Sequence, residues 1–469
     1  MGALDDIVKA NDIRGLVPDQ LTPEIARCLG AAFRDIAGPE ILVGHDMRTS
    51  AAELVDAFID GARSRGANVT HVGLCSTDGL YFASGALDLP GVIFTASHNP
   101  AQYNGLKLCY AGARPIGKET GLPDLAQRAQ QYLDSGIEAK QPGAVTHREI
   151  LADYARFLRD LVPLTGQRRL KVVVDAGNGM AGLTAGAVLG TEAGLPDIGI
   201  DLVPMYFDLD GSFPNHEPNP LDPANLLDLQ ATVIAQQADL GLAFDGDADR
   251  CFVIDEMGVA VDPSAIITLV GLREVAKEQQ QGNAPVIIRN LITSRAVTDL
   301  IGAAGGEVVT TRVGHAYIKE EMAARDAVFG GEHSAHYYFR DFFYADSGML
   351  AALHVLSALA ESDLEASDLA AMYTPNTSSG EINSTVADVG HTLARIRAEF
   401  AADLHAQRVT IDDTDGLTFS HWDATPRWWF NVRPSNTEPL LRLNVEAQDG
   451  DVMEKIRDSV LAIIRQEST

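Results

Sequence analysis

Residues 91–107 read GVIFTASHNPAQYNGLK. Gly91-Val92-Ile93-Phe94 is a short apolar run of the kind that forms a buried strand. It opens onto Thr95-Ala96-Ser97-His98-Asn99-Pro100, and Pro100 with the Asn104-Gly105 pair keeps the chain beyond Ser97 in a loop. A hydroxyl nucleophile, Ser97, is thus presented at a strand end, with His98 beside it and Lys107 ten residues on. This combination suits a serine that carries a covalent group.

A second string, Asp245-Gly246-Asp247-Ala248-Asp249-Arg250, comes directly after the apolar run Leu240-Gly241-Leu242-Ala243-Phe244. In an extended loop alternate side chains point the same way. Asp245, Asp247 and Asp249 can therefore converge on one hard cation. Oxygen-only ligation suits Mg2+, which takes few protein ligands and wants a phosphate oxygen as well. Two other readings compete: a solvated acidic loop, and a calcium EF-hand with Glu256 at its twelfth position. Against the EF-hand, Arg250 stands where the sharp turn needs Gly, and Cys251-Phe252-Val253-Ile254 reads as strand rather than helix.

Three further clusters carry polar chemistry. Gly330-Gly331-Glu332-His333-Ser334-Ala335-His336 sets a carboxylate, a hydroxyl and an imidazole at alternating positions, a set able to hydrogen-bond neighbouring sugar hydroxyls. Arg433-Pro434-Ser435-Asn436-Thr437-Glu438-Pro439 offers a guanidinium, two hydroxyls and an amide, which suits a phosphate clamp if Glu438 points away. Gly177-Asn178-Gly179-Met180-Ala181-Gly182 satisfies G-x-G-x-x-G, with Asp201 about twenty residues on. That fingerprint sits mid-chain and arises readily in Gly-rich α/β proteins, so tight packing is the favoured role of its glycines.

The elements that must hold these loops show a β-α-β rhythm. Ile41-Leu42-Val43-Gly44 and Val69-Thr70-His71-Val72 read as strands flanking a helical stretch from Ala51 to Arg65. A new unit is expected near Thr146, with Thr146 and Glu149 as a capping box for a helix whose apolar face carries Ile150, Tyr154, Phe157, Leu158 and Leu161. Leu170–Asp175 and Val286–Ile288 read as further buried strands. Trp428–Arg433 and Leu440–Val445 read as a strand pair closed by a helix over 451–467. At 469 residues the chain exceeds a single core. Its net charge of −29 argues against nucleic acid or an anionic membrane as partner, and requires an anionic substrate to meet locally gathered cations. The four cysteines, widely spaced without a CxxC pair, fit reduced thiols in a cytoplasmic setting. No apolar run is long enough for a membrane span.

Taken together, the strings resemble the α-D-phosphohexomutases, and most closely their phosphomannomutase/phosphoglucomutase group. TASHNP…NGLK resembles the phosphoserine loop, DGDADR the metal loop, GEHSAH the sugar loop and RPSNTEP the phosphate loop. Asn11-Asp12-Ile13-Arg14-Gly15 is similar to the family's Y-D-I-R-G, with Asn11 replacing the aromatic. Gly314-His315 matches another substrate-proximal position. Ala335 stands where Gly is usual, adding a methyl near the sugar. A lysine common 23 residues before His315 is Ile292 here, leaving Arg289 or Arg312 to supply that contact.

The resemblance implies an α/β fold: three similar α/β domains with mixed sheets plus a smaller C-terminal α+β domain around a central cleft. The expected boundaries are 1–149 (phosphoserine), 150–258 (metal), 259–372 (sugar) and 373–469 (phosphate). It implies reversible phosphoryl transfer between the 1- and 6-positions of mannose and/or glucose phosphate through a phosphoserine at Ser97. Mg2+ would be held by Ser97, Asp245, Asp247 and Asp249, with a hexose 1,6-bisphosphate as intermediate and activator. Arg14 and Arg250 would stabilise the moving phosphoryl group, His98 would flank it, and Lys107 and His336 would do acid/base work. Glu332, Ser334 and His315 would bind sugar; Arg433, Ser435, Asn436 and Thr437 would bind the non-reacting phosphate. A cytoplasmic monomer or dimer taking hexose phosphates is expected. Phosphoglucosamine mutase, a phosphosugar phosphatase using the same serine, and a non-catalytic sugar-phosphate sensor are the alternatives.

Overall fold

The structure, a computed structural model, describes residues 4–166, 168–401, 409–434 and 440–466. Four sheets succeed one another along the chain. In the first, of seven strands, the apolar runs lie side by side: Asn68–Leu74, Glu40–His45 and Gly91–Phe94 are parallel, and Tyr103–Tyr110 returns antiparallel beside Gly91–Phe94. Gly91–Phe94 is buried throughout, which its unbroken apolar sequence requires of a central strand.

The capping-box expectation fails. Val145–His147 is a strand that adds to the open edge of Asn68–Leu74, pairing Thr70 with Thr146. The β-branched Val-Thr pair has a sheet edge within reach, and this wins over the cap. The next helix starts only at Leu151, without a side-chain cap. Its expected apolar face does form, with Tyr154 and Leu158 buried.

The second sheet has four strands, ordered Cys251–Asp255, Leu240–Phe244, Leu170–Asp175 and Ile200–Met205. The third has five, from Glu307–Thr311 through Val286–Asn290 and Phe329–Gly331 to Tyr337–Phe339 and Ala345–Asp346. Both mix parallel and antiparallel pairs. The fourth is entirely antiparallel, pairs Trp428–Pro434 with Leu440–Ala447, and is covered by the helix Gly450–Arg465, which Asp449 caps, as the expected strand pair closed by a helix requires. Three mixed α/β layers and one α+β layer are the expected fold class.

Apolar contact binds the first three blocks. Phe82 of the first meets Phe157 of the second at 5.3 Å, and Phe157 stacks on Phe343 of the third at 5.8 Å between ring centres. The fourth block has its own core and docks on the third through polar groups. There the buried Glu446 accepts from Ser294 Oγ at 2.6 Å and from the Arg295 amide at 2.9 Å. All four cysteines are free and buried, and no described helix is long and apolar enough to cross a membrane.

Candidate active site

The acidic loop is the turn between the antiparallel strands Leu240–Phe244 and Cys251–Asp255. Both strands are buried along their length, so the turn is carried into the interior. Asp245, Asp247 and Asp249 are all at most 1% exposed, and one carboxylate oxygen from each lies within 4.8 Å of the others. Asp247 Oδ1 and Asp249 Oδ1 are buried without a hydrogen-bond partner. Unpartnered buried carboxylate oxygens are costly. This all-oxygen donor set with bare, converging lone pairs fits a hard divalent cation. The EF-hand reading fails. Glu256 instead accepts from the amide and hydroxyl of Ser367, and Cys251–Asp255 is strand.

Ser97 reaches this loop from the first block. Its Oγ donates to Asp245 Oδ2 at 2.8 Å, and His98 Nδ1 lies 3.2 Å from the same hydroxyl. Ser97 adopts φ = 49°, a left-handed conformation uncommon for a non-glycine residue. Arg48 holds it there. Its guanidinium donates to the carbonyls of Ser97 (2.8 Å), Asn99 (2.7 Å), Pro100 (2.9 Å) and Tyr103 (2.9 Å). Asp46 anchors Arg48 in turn, and both side chains are fully buried. Sequence reading missed this pair; its only signal was a D-x-R directly after a strand.

Lys107 Nζ donates to Asp247 Oδ2 at 2.7 Å and also to Asp249 Oδ2. Burial disfavours its charge, but Asp247 and Asp249 outweigh that and hold the ammonium well above lysine's usual value. Thr77 also donates to Asp247 Oδ2, at 2.6 Å, a contact the sequence did not disclose. Arg250, 2% exposed, donates through Nε to Asp245 Oδ2 at 2.8 Å. Arg14 donates to Asn99 of the Ser97 loop and to Asp12.

The third block closes the site. His336 Nδ1 is 3.0 Å from Ser334 Oγ, and its Nε2 is 3.8 Å from Asp249 Oδ1. Burial first, then the positive Arg250, pushes its imidazole down to about 3. Burial and Lys319 push His315 down to about 4, and burial with Arg250 and Arg14 lowers His98 well below its usual value. All three are neutral imidazoles at pH 7. Glu332 is already engaged, accepting from Tyr338 Oη at 2.7 Å and the Gly314 amide at 3.0 Å.

Ala335 takes φ = 63° in the place usual for Gly, but it is fully buried in the core. Its methyl is packed into the core rather than exposed on the loop surface. The structure places the two arginines named for the contact missing at Ile292 differently. Arg289 turns back onto Thr293, and Arg312 is exposed. A buried cation close to His315 is Lys319, one turn beyond it, paired with Asp346 at 2.7 Å and lying over the Tyr81 ring at 4.6 Å.

Arg433 is held by Glu381 at 2.8 Å. Its strand reaches the His315 loop through Asp415, which accepts from the Val313 amide at 3.0 Å and whose carbonyl accepts from Asn431 at 2.9 Å. Ser435, Asn436, Thr437 and Glu438 lie outside the described residues. The glycine fingerprint serves packing: a Cβ at Gly179 would sit 2.7 Å from the Gly246 carbonyl of the acidic loop. Asp201 is exposed beside Lys171, at the opposite end of the sheet from the glycine turn.

A serine stapled onto a buried carboxylate triad, walled by three α/β blocks and faced by an α+β block, defines a class. Residues 5–132, 152–258, 262–376 and 381–463 match domains I, II, III and the C-terminal domain of phosphoglucomutase/phosphomannomutase, in that order, and the chain belongs to this family. It is 38% identical over 465 residues to a phosphomannomutase of Escherichia coli, covering 97% of this chain and 98% of that protein. To the phosphomannomutase/phosphoglucomutase of Pseudomonas syringae it is 36% identical over 459 residues, covering 97% and 94%. A crystal structure of a phosphoglucomutase/phosphomannomutase family protein from Burkholderia thailandensis superposes with a TM-score of 0.84 at 30% identity, covering 98% of this chain and 97% of that one.

Proposed function

We propose that this chain is a hexose-phosphate mutase, an isomerase interconverting the 1- and 6-phosphates of mannose and/or glucose through a phosphoryl group carried on Ser97. The observation that carries the reading is the 2.8 Å contact between Ser97 Oγ and Asp245 within the buried triad. In the forward step the Ser97 Oγ–P bond breaks and a bond from phosphorus to a sugar hydroxyl oxygen forms. The hydroxyl proton passes to a base, a role assigned to His336 by its place beside Asp249, 3.8 Å from Nε2; an anionic phosphate bound next to it would raise its low proton affinity. Lys107, held protonated, suits donation and charge stabilisation, and Arg14 and Arg250 face the moving phosphoryl group. Mg2+ held by Asp245, Asp247 and Asp249 with an oxygen of the Ser97 phosphate would neutralise charge on that group.

The product of this step is a hexose 1,6-bisphosphate, which turns and returns its other phosphate to Ser97. Glu332, Ser334 and His315 are assigned to the sugar. Arg433 with Ser435, Asn436 and Thr437 is assigned to the non-reacting phosphate. The gathered Arg14, Lys107, Arg250 and Lys319 reconcile an anionic substrate with a net charge of −29. The test is a coupled assay across the 1-phosphates of mannose, glucose and glucosamine. Hexose 6-phosphate without released inorganic phosphate supports a mutase, and the preferred sugar identifies its substrate. Free sugar and phosphate would instead identify a phosphatase.

A further inference from the structure

Two consecutive residues at the start of the helix Thr77–Leu87 contact all three α/β blocks. Thr77 belongs to the acidic loop's surroundings: its amide donates to the Asp247 carbonyl at 3.0 Å and its hydroxyl to Asp247 Oδ2 at 2.6 Å. Asp78 does something different. It is a fully buried carboxylate, and its donors come from each block: Ser76 Oγ of the first, Tyr154 Oη of the second at 2.6 Å, and Ser347 Oγ of the third at 2.6 Å. Ser76, Tyr154 and Ser347 are themselves at most 1% exposed. Ser76 caps the helix on which Asp78 sits, by accepting from the Gly79 amide at 3.1 Å, and Ser347 caps the helix Gly348–Ala360. Burying a carboxylate with only neutral donors around it is costly, so apolar residues would hold three blocks together at lower cost. The carboxylate adds directional registry.

We propose that Asp78 is a positioning residue for the cation site: it registers the three blocks so that Thr77 pins one oxygen of Asp247 and leaves the other free. The geometry is consistent in detail. Thr77 and Lys107 both occupy Asp247 Oδ2, while Oδ1 remains buried and unpartnered. Ser347 is next to Asp346, whose carboxylate lies within 4.8 Å of Asp249 and His336. A shift of the Thr77–Leu87 helix start would release Asp247 to rotate and would move the third block's side of the site with it. This inference rests on the reading of Asp245, Asp247 and Asp249 as a divalent-cation site.

The experiment is a Mn2+ titration of the full-length chain, monitored by electron paramagnetic resonance, with urea unfolding of the same samples. Asp78→Ala should raise the Mn2+ dissociation constant at least about tenfold, the worth of one hydrogen bond to a charged group. Ser347→Ala and Tyr154→Phe, which leave the carboxylate in place, should each raise it by about two- to fourfold and combine non-additively, because they share one acceptor. These two variants carry the test if Asp78→Ala does not fold. Lowered urea midpoints with wild-type Mn2+ affinity in every folded variant would make the cluster purely structural and overturn the inference. A wild-type chain that binds Mn2+ separates that outcome from failure of the metal-site reading, in which wild type itself takes up none and this inference falls with it.

Discussion

Arg48→Ala should disable the protein without touching any substrate. The guanidinium holds four carbonyls of the Ser97 loop and is paired with Asp46, both side chains fully buried. The second block seals it in: the Phe213 ring lies 5.1 Å from the guanidinium carbon, and a Cβ at Gly211 would come within 2.6 Å of Arg48 Cα. Water cannot simply take its place. Removing one partner of such a buried pair costs about 3–5 kcal/mol. Against a total stability of about 5–15 kcal/mol the variant should still fold. At roughly 2–4 °C per kcal/mol, Tm should fall by roughly 6–20 °C.

The kinetic effect is separate. Ser97 sits at φ = 49° only because its neighbours fix it there, so the freed loop relaxes. A displacement of about 1 Å costs about 100-fold in rate. kcat should drop by about that factor while KM moves little, since Arg48 meets no substrate. Arg48→Lys should recover stability more than rate, because an ammonium lacks the planar fork. The assay is steady-state kinetics on both hexose 1-phosphates beside a thermal melt. A variant with the lowered Tm but kcat within about threefold of wild type would refute the role of Arg48 in positioning Ser97.

Two other parts of the molecule give outcomes of their own. Arg433→Ala removes a charge-assisted donor worth about 1.5–3 kcal/mol, so kcat/KM should fall at least about tenfold from both the 1-phosphate and the 6-phosphate; an unchanged value in either direction would take Arg433 out of the phosphate clamp. Burial, then the charges of Arg273 and Lys277, lowers His354 to about 3. Its folded value lies below its unfolded one, so its contribution to stability is complete above about pH 6.5 and is lost as pH falls from there toward 3. Urea midpoints of wild type should fall on acidification through this window, and His354→Gln should flatten the slope by about 1.4 kcal/mol per pH unit; parallel slopes would contradict a neutral buried imidazole.

The motifs were readable wherever chemistry is local in the chain. Ser97 and His98 are adjacent, and the three aspartates fall within five residues, so their apolar lead-in strands and loop residues announced both position and purpose. The residues that aim them were not. Arg48 reaches Ser97 from 49 residues away and Thr77 reaches Asp247 from 170. Such partners are chosen by how whole blocks pack, which no local pattern encodes. Thr146 shows the reverse error: a sound local cap was overruled because a sheet edge lay within reach. Lys319 carries no signal in the sequence, since a lysine on a helix ordinarily faces solvent, and only the fold places it over Tyr81 beside Asp346.

Ser97 as the phosphoryl carrier is the centre of the account, and one labelling experiment addresses it directly. The full-length chain is incubated with Mg2+ and hexose 1-phosphate bearing labelled phosphorus, then chased with unlabelled hexose 6-phosphate. The account predicts one label per chain at most, located on the peptide containing Ser97, and chased into hexose bisphosphate and hexose monophosphates with Ser97→Ala taking up none. Turnover with no label on that peptide, or label leaving only as inorganic phosphate, would contradict it.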